Sequence, residues 1–271
     1  MLLATRITGD RYLEMLLNIP DLTWTPGLPH KTSAIFSKRR SSAFKSLSIE
    51  KTDQSAPDSF NWLEMRQQCF KVQDSQNCGA SQAFAAAGSF SNNRCIHAVE
   101  STFTQYSQQF MISCGEGCEE KDGAESQEKF LQKIGIPMLN CVSYKASNQQ
   151  CPTTCDNGSF MSVFKIHKYH NVCQNEESIK TAILLGAIHT TFDVYSDFMY
   201  YTGGIYQQTS GSLIGSIGVT LVGYGEENGI KYWIVGNSWG TSWGENGYFR
   251  IIRGINECNI EQECFLQHVY L

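Results

Sequence analysis

Cysteine is the residue type whose number and spacing most directly imply chemistry in this chain. There are eleven, at positions 69, 78, 95, 114, 118, 141, 151, 155, 173, 258 and 264, and eight of them fall between Cys69 and Cys155. Two chemistries suit such a cluster. Disulfides would cross-link it in an oxidising compartment. Zinc is the rival, because Cys114 and Cys118, like Cys151 and Cys155, are separated by three residues, as ligand pairs often are. The connecting loops are not of matched zinc-ribbon type, so we read disulfides and expect no metal. An odd total leaves at least one thiol free or intermolecular. Asn157-Gly158-Ser159 is a glycosylation acceptor triplet, relevant only on a secretory route. Lys38-Arg39-Arg40 reads as a solvated basic loop, with a processing site as the alternative.

These residues need elements to hold them. The stretch from Ser81 to Arg94 is rich in helix formers and ends near an Asn pair, which predicts a helix over 81–94. Residues 178–187 read as a second, shorter helix. Three runs at 218–225, 231–239 and 247–254 are β-rich and separated by Gly-containing turns, one of them Asn228-Gly229. Helices first and strands later predict an α+β protein of two lobes, helical at about 75–165 and β-rich at about 166–271. Residues 1–55 differ from the remainder: they contain no cysteine and end in a Ser/Lys-rich tail that reads as an exposed connector.

The chain has 271 residues, enough for one large domain or two compact ones. Hydrophobic residues make up 41%, which is globular, and the net charge of -5 argues against a nucleic-acid partner. No run approaches the roughly 18 apolar residues of a membrane span. The opening MLLATRITGD lacks the apolar stretch of a signal peptide, since Arg6 and Asp10 interrupt it. That disagrees with the oxidising compartment the cysteines imply.

Two long segments carry a family resemblance. YWIVGNSWGTSWGENGYFRI (232–251) resembles the part of papain-like cysteine peptidases that holds the active-site Asn and its Trp. VQDSQNCGASQAFAAAG (72–88) resembles their nucleophile segment, usually Q-G-x-C-G-S-C-W-A-F. They stand in the family order, about 150 residues apart. VYSDFMYYTGGIYQQTSG (194–211), NNRCIHA (92–98) and RGINECNIE (253–261) narrow the resemblance to the cathepsin B-like branch. The resemblance implies a papain-like fold, a helical lobe and an antiparallel β-barrel-like lobe with a cleft between them, and a peptidase domain over 56–271. It also implies the pairs Cys69–Cys95, Cys78–Cys118, Cys114–Cys151 and Cys141–Cys155. Cys173, Cys258 and Cys264 remain, of which Cys173 and Cys264 are candidates to pair, and Cys258 reads as a buried small hydrophobe. LTWTPGLP (22–29) resembles the propeptide piece that crosses and blocks the cleft, so 1–55 reads as propeptide-like. The nine residues between Cys141 and Cys151 are too few for the His-bearing occluding loop of that branch.

A cysteine peptidase needs a thiolate at a helix N-terminus, a His beside it, an Asn to orient the imidazole, and donors for the oxyanion. By the resemblance, the nucleophile position holds Ser81 and the His position holds Ile217. Asn237 is the orienting Asn, with Trp239 behind it. The oxyanion Gln position holds Ser75, with Gln76 next door. Gln82 stands where the family has Trp. Glu120 and Lys121 replace the glycines that dock substrate backbone. Thr191 falls on the wall of the S2 pocket, and Glu263 on its base, where an acid admits a basic side chain; the plain alternative for Glu263 is an exposed Glu. Loss of a nucleophile or base costs on the order of 10⁶ in kcat. Among the six histidines (30, 97, 167, 170, 189 and 268), only His189 shares strand parity with Thr191, and it reads as a half-buried structural residue.

These substitutions lead us to expect a pseudopeptidase that binds peptide, propeptide or a cystatin-like inhibitor in a degenerate cleft, without a cofactor. One alternative is an extracellular structural or adhesive protein. Another is a hydrolase using Ser81 with an unidentified base. The expected compartment is the lysosome or vacuole, or the cell exterior.

Overall fold

The computed structural model describes residues 9–29, 36, 55–119 and 123–270. After α1 (Gly9–Leu17) and the short α2 (Trp62–Met65) comes its centre, helix α3 (Ser81–Ile96), in which every residue except Arg94 is buried. Its small side chains, Ala83, Ala85, Ala86, Ala87, Gly88 and Ser89, allow packing on all sides, so the helix presents no solvent-exposed face. It runs two residues beyond the predicted end because Cys95 and Ile96 still pack inward. Against one side lie α4 (Gln108–Cys114) and α5 (Ala124–Lys133). Together they enclose a core of Ala83, Ala87, Phe90, Tyr106, Met111 and Leu131.

The other side of α3 meets a nine-stranded sheet. Its strands are β1 (Trp24–Pro26), β2 (Phe60–Asn61), β3 (Ile166–Asn171), β4 (Ile188–Tyr195), β5 (Tyr201–Tyr206), β6 (Leu213–Glu227), β7 (Ile230–Gly236), β8 (Tyr248–Ile252) and β9 (Cys264–Val269). The order is β1-β5-β8-β7-β6-β4-β9-β3, with β2 pairing β6. All pairs are antiparallel except β5 with β8. The sheet curls around Phe192, Phe198, Tyr206, Trp233, Trp243 and Phe249 but stays open, with β1 and β3 at its ends.

The second predicted helix is α6 (Glu176–Leu185), shifted toward the N-terminus. A capping box fixes its start: the Ser178 N–H donates to Asn175 Oδ1 at 2.9 Å, and the Asn175 N–H donates to Ser178 Oγ at 3.0 Å. It stops before Gly186, where a Cβ would lie 2.5 Å from Asn93 Oδ1. Asn93 of α3 also bonds both backbone groups of Ala187, at 2.7 and 3.0 Å, so it ties the entry of β4 to the central helix.

Five disulfides form. Four are those the resemblance implies, Cys69–Cys95, Cys78–Cys118, Cys114–Cys151 and Cys141–Cys155. The fifth joins Cys173 to Cys264. This pairing splits both candidate zinc couples, and no group of three or more potential ligands among the described residues could hold a metal ion. Cys258 is free and half-buried, in a tight turn where Asn256, Cys258 and Asn259 all have positive φ. It is less enclosed than the sequence suggests because that turn faces partly outward. No helix among the described residues is long and apolar enough to cross a membrane.

The N-terminal segment is built into this frame. α1 (Gly9–Leu17) buries Leu16, and Trp24 of β1 packs on Tyr201 and Tyr206. β1 extends β5, with Trp24 opposite Gly204. Gly204 has φ of 87° and lies so close that a Cβ there would be 2.7 Å from the Trp24 Cα. Lys38, Arg39, Arg40 and the expected connector lie outside the described residues.

Candidate active-site cleft

The N-terminus of α3 sets Ser81 against β6. Ser81 is only 4% exposed, and its Oγ accepts a hydrogen bond from the Gly218 N–H at 3.0 Å. Glycine is required at 218 by proximity: a Cβ would sit 2.6 Å from the Gln82 Cα and 2.7 Å from the Ser81 carbonyl oxygen. The neighbouring Ile217 is 1% exposed, pairs with Phe192 of β4, and belongs to the main apolar core. A hydrocarbon there neither accepts nor donates a proton.

Asn237 follows β7. Its N–H donates to the Gly247 carbonyl at 3.0 Å, and its Oδ1 accepts from the Ser238 N–H at 2.8 Å. Its Nδ2 and the Ser238 Oγ are buried without a partner among the described residues. Both residues line a cavity of about 50 Å³ between α3 and the sheet, which Gly88, Asn92, Gly218 and Thr220 also border. Trp239 is buried beside them, edge-on to Trp243 at 4.9 Å. On its other side Trp239 meets Phe36 at 6.4 Å, which brings the N-terminal segment to the Asn237 end of the cleft.

Ser75 is buried. Its N–H donates to the Ser238 carbonyl at 2.9 Å, and its own carbonyl accepts from the Tyr144 hydroxyl at 2.6 Å. Gln76 is exposed in a left-handed conformation, φ 51°, with its N–H bonded to Asp74 Oδ1 at 2.8 Å. Glycine is the usual residue for that conformation, which fits the family pattern at this position. Glu120 and Lys121 lie outside the described residues.

Sequence reasoning missed the most elaborate polar feature here. Gln82, one residue after Ser81, is buried and points to β4. Its Nε2 donates to Thr191 Oγ1 at 3.3 Å, and its Oε1 lies 2.9 Å from His189 Nε2. His189 Nδ1 lies 2.8 Å from Glu128 Oε1 on α5, which also accepts from Gln267 Nε2 at 3.0 Å. Beyond Thr191 the chain continues to Glu263, with Thr191 Oγ1 donating to Glu263 Oε2 at 3.4 Å. His189 and Glu128 are both 0% exposed. His189 is therefore sealed in the interior rather than half-buried. Strand parity with Thr191 did place it correctly, since both residues meet Gln82. Glu263 is buried rather than exposed, with the Gly123 backbone close against its carboxylate.

Ser81 at the N-terminus of α3 and Asn237 on the sheet side are linked through Gly218, which bonds the one and shares a cavity wall with the other. The described residues place no imidazole against Ser81: both His189 nitrogens are taken by Gln82 and Glu128.

Comparison with known proteins agrees with this geometry. The pattern described as papain family cysteine protease matches residues 56–268. Cathepsin B-like CP3 of Giardia intestinalis is 36% identical over 261 residues, covering 89% of this chain and 87% of that protein. Cathepsin B-like cysteine proteinase 5 of Caenorhabditis elegans is 30% identical, covering 95% and 89%. Among solved structures, procathepsin B S9 from Trypanosoma congolense superposes with a TM-score of 0.86 at 24% identity, covering 98% of each chain. The chain belongs to the papain family of cysteine proteases, among its cathepsin B-like members.

Proposed function

We propose that this chain is a pseudopeptidase: a cathepsin B-like protein whose cleft holds a peptide or inhibitor without cutting it. One observation carries the reading. The Ser81 hydroxyl faces the Gly218 N–H, and the residue beside that N–H is the buried hydrocarbon Ile217. A serine hydroxyl is a poor nucleophile without a base, and none contacts it among the described residues. Asn237 then has no ring to orient.

The nature of the occupant follows from the N-terminal segment. Residues 1–55 are propeptide-like in this reading, and Phe36 already packs on Trp239 while β1 joins the sheet. The cleft of the intact chain therefore holds its own segment first, and a peptide or cystatin-like inhibitor competes with it. A basic side chain would have to displace Thr191 to reach the enclosed Glu263 carboxylate. Five disulfides favour an oxidising compartment, either lysosomal or vacuolar, or extracellular.

The test is hydrolysis of a dibasic fluorogenic peptide by the purified chain, full-length and trimmed near residue 55. We expect no turnover from either form, nor from Ser81→Cys, because Ile217 still supplies no base. Turnover by the trimmed form that disappears in Ser81→Ala would overturn the reading.

A further inference from the structure

Hydrogen-bond donors gather in the cavity between α3 and the sheet without acceptors to match them. Asn237 and Ser238 line it and are only 7% and 5% exposed. Asn237 Oδ1 is taken by the Ser238 N–H, so the unpartnered Nδ2 offers N–H groups alone. The Ser238 hydroxyl is likewise unpartnered and can donate. Gln73 joins them from the segment before α3. Its Oε1 accepts from Gln105 Nε2 at 3.1 Å and also from Gln108 Nε2, which leaves its Nε2 to serve another partner. A Cβ at Gly88 would lie 3.7 Å from that Nε2, so the amide sits beside the glycine that also borders the cavity.

Acceptors are fewer. Thr220 Oγ1 is shared with Ser89 Oγ at 3.4 Å. No aspartate or glutamate lines the cavity among the described residues. Lys71 does, with its side chain exposed at the rim. Asn92 of α3 adds an amide that can turn either end inward. Two kinds of occupant suit such a place. Water needs acceptors for its own protons as well as donors. An anion needs donors only, and gains from a cation nearby. The excess of donors and the lysine favour the anion. The volume of about 50 Å³ keeps it small, since organic ligands occupy roughly 300–1,000 Å³.

We propose that this cavity is a chloride site, with Asn237 Nδ2, Ser238 Oγ and Gln73 Nε2 as its donors and Lys71 at its mouth. Phe70, Val72 and Tyr248 line the cavity and also an open groove of about 520 Å³ on the β7–β8 side, which supplies the route in. The anion joins α3, the segment before it and the turn after β7 at one point. The site needs only these donors, so it stands whether or not Ser81 cuts.

The test pairs a crystal structure of the full-length chain, grown with bromide in place of chloride, with urea unfolding at intact disulfides. An anomalous bromide peak should appear within hydrogen-bonding reach of Asn237 Nδ2 and Ser238 Oγ. In solution, chloride should stabilise the fold saturably over gluconate at matched ionic strength. At ten times the dissociation constant, the unfolding constant should fall about elevenfold. Gln73→Glu keeps an oxygen for Gln105 and Gln108 but turns a donor into a carboxylate, and should abolish the chloride response. Ser238→Ala removes one charge-assisted hydrogen bond and should weaken chloride binding about tenfold. Water alone in the cavity, bromide elsewhere as an adventitious ion only, or equal unfolding in chloride and gluconate overturns the proposal. So does an unchanged response in Gln73→Glu. Should that variant fail to fold, the wild-type bromide peak and the Ser238→Ala titration decide.

Discussion

Two neighbouring residues at the start of α3 face opposite fates. Ser81 turns to β6, where its hydroxyl meets the Gly218 backbone N–H beside the buried Ile217 hydrocarbon. Gln82 turns to β4, where a carboxylate, an imidazole and a hydroxyl form a continuous buried chain. The first place is where a peptidase would keep its titratable groups, and no described titratable residue contacts Ser81 there. The second is rich in them but closed to solvent. A cluster of titratable residues near a cleft is thus no guide to catalysis unless one of them is free to reach the nucleophile.

The contrast predicts unequal sensitivity to mutation. Breaking the Gln82 side should cost most. His189→Ala leaves Glu128 buried without its imidazole and should destabilise by about 3–5 kcal/mol, read by urea unfolding. A loss below ~1 kcal/mol would mean the pair contributes little to the fold. Gln82→Leu removes the link between His189 and Thr191 and should cost about 1–3 kcal/mol, the usual penalty for stranding buried polar partners. On the Ser81 side, Ile217→Val removes one buried methylene and should cost about 0.5–1.5 kcal/mol. Ser81→Ala gives up a single hydrogen bond to a backbone N–H and should cost about 1 kcal/mol. If Ser81→Ala exceeded Gln82→Leu in the same unfolding series, the comparison would be reversed, and Ser81 would hold the lobes together.

The sequence made one side of this contrast visible and hid the other. The Ser81 surroundings were legible because the segments around 72–88 and 232–251 are local patterns with a known order. The central helix was legible from its helix formers and the β-rich runs from their residue types and turns, and the helix ends moved: α3 runs on to Ile96, while α6 starts at the Asn175 capping box and stops before Gly186. The Gln82 chain was not legible. His189 finds Gln82 across 107 positions and Glu128 across 61, and neither partner belongs to a short motif. Parity along β4 put His189 on the right face but said nothing of how deeply that face is covered. The Cys173–Cys264 bond was legible only as a candidate, because a sequence separation of 91 is beyond spacing rules. Glu263 could be read as exposed or as pocket base, and only the approach of Thr191 and Gly123 decides that it is enclosed.

The attachment of β1 to β5 bears on how the chain survives cleavage. Thr23 and Trp24 hold the β5 end by hydrogen bonds from Thr23 Oγ1 to the Ile205 carbonyl at 2.6 Å and from Trp24 Nε1 to the Gln207 carbonyl at 3.1 Å. The segment thereby shields an outer row of backbone donors and acceptors that would otherwise invite another strand. A protease cutting after it would nick the chain without freeing the piece. The product would be a two-chain particle, and stripping the short chain away would leave a tacky rim prone to self-association.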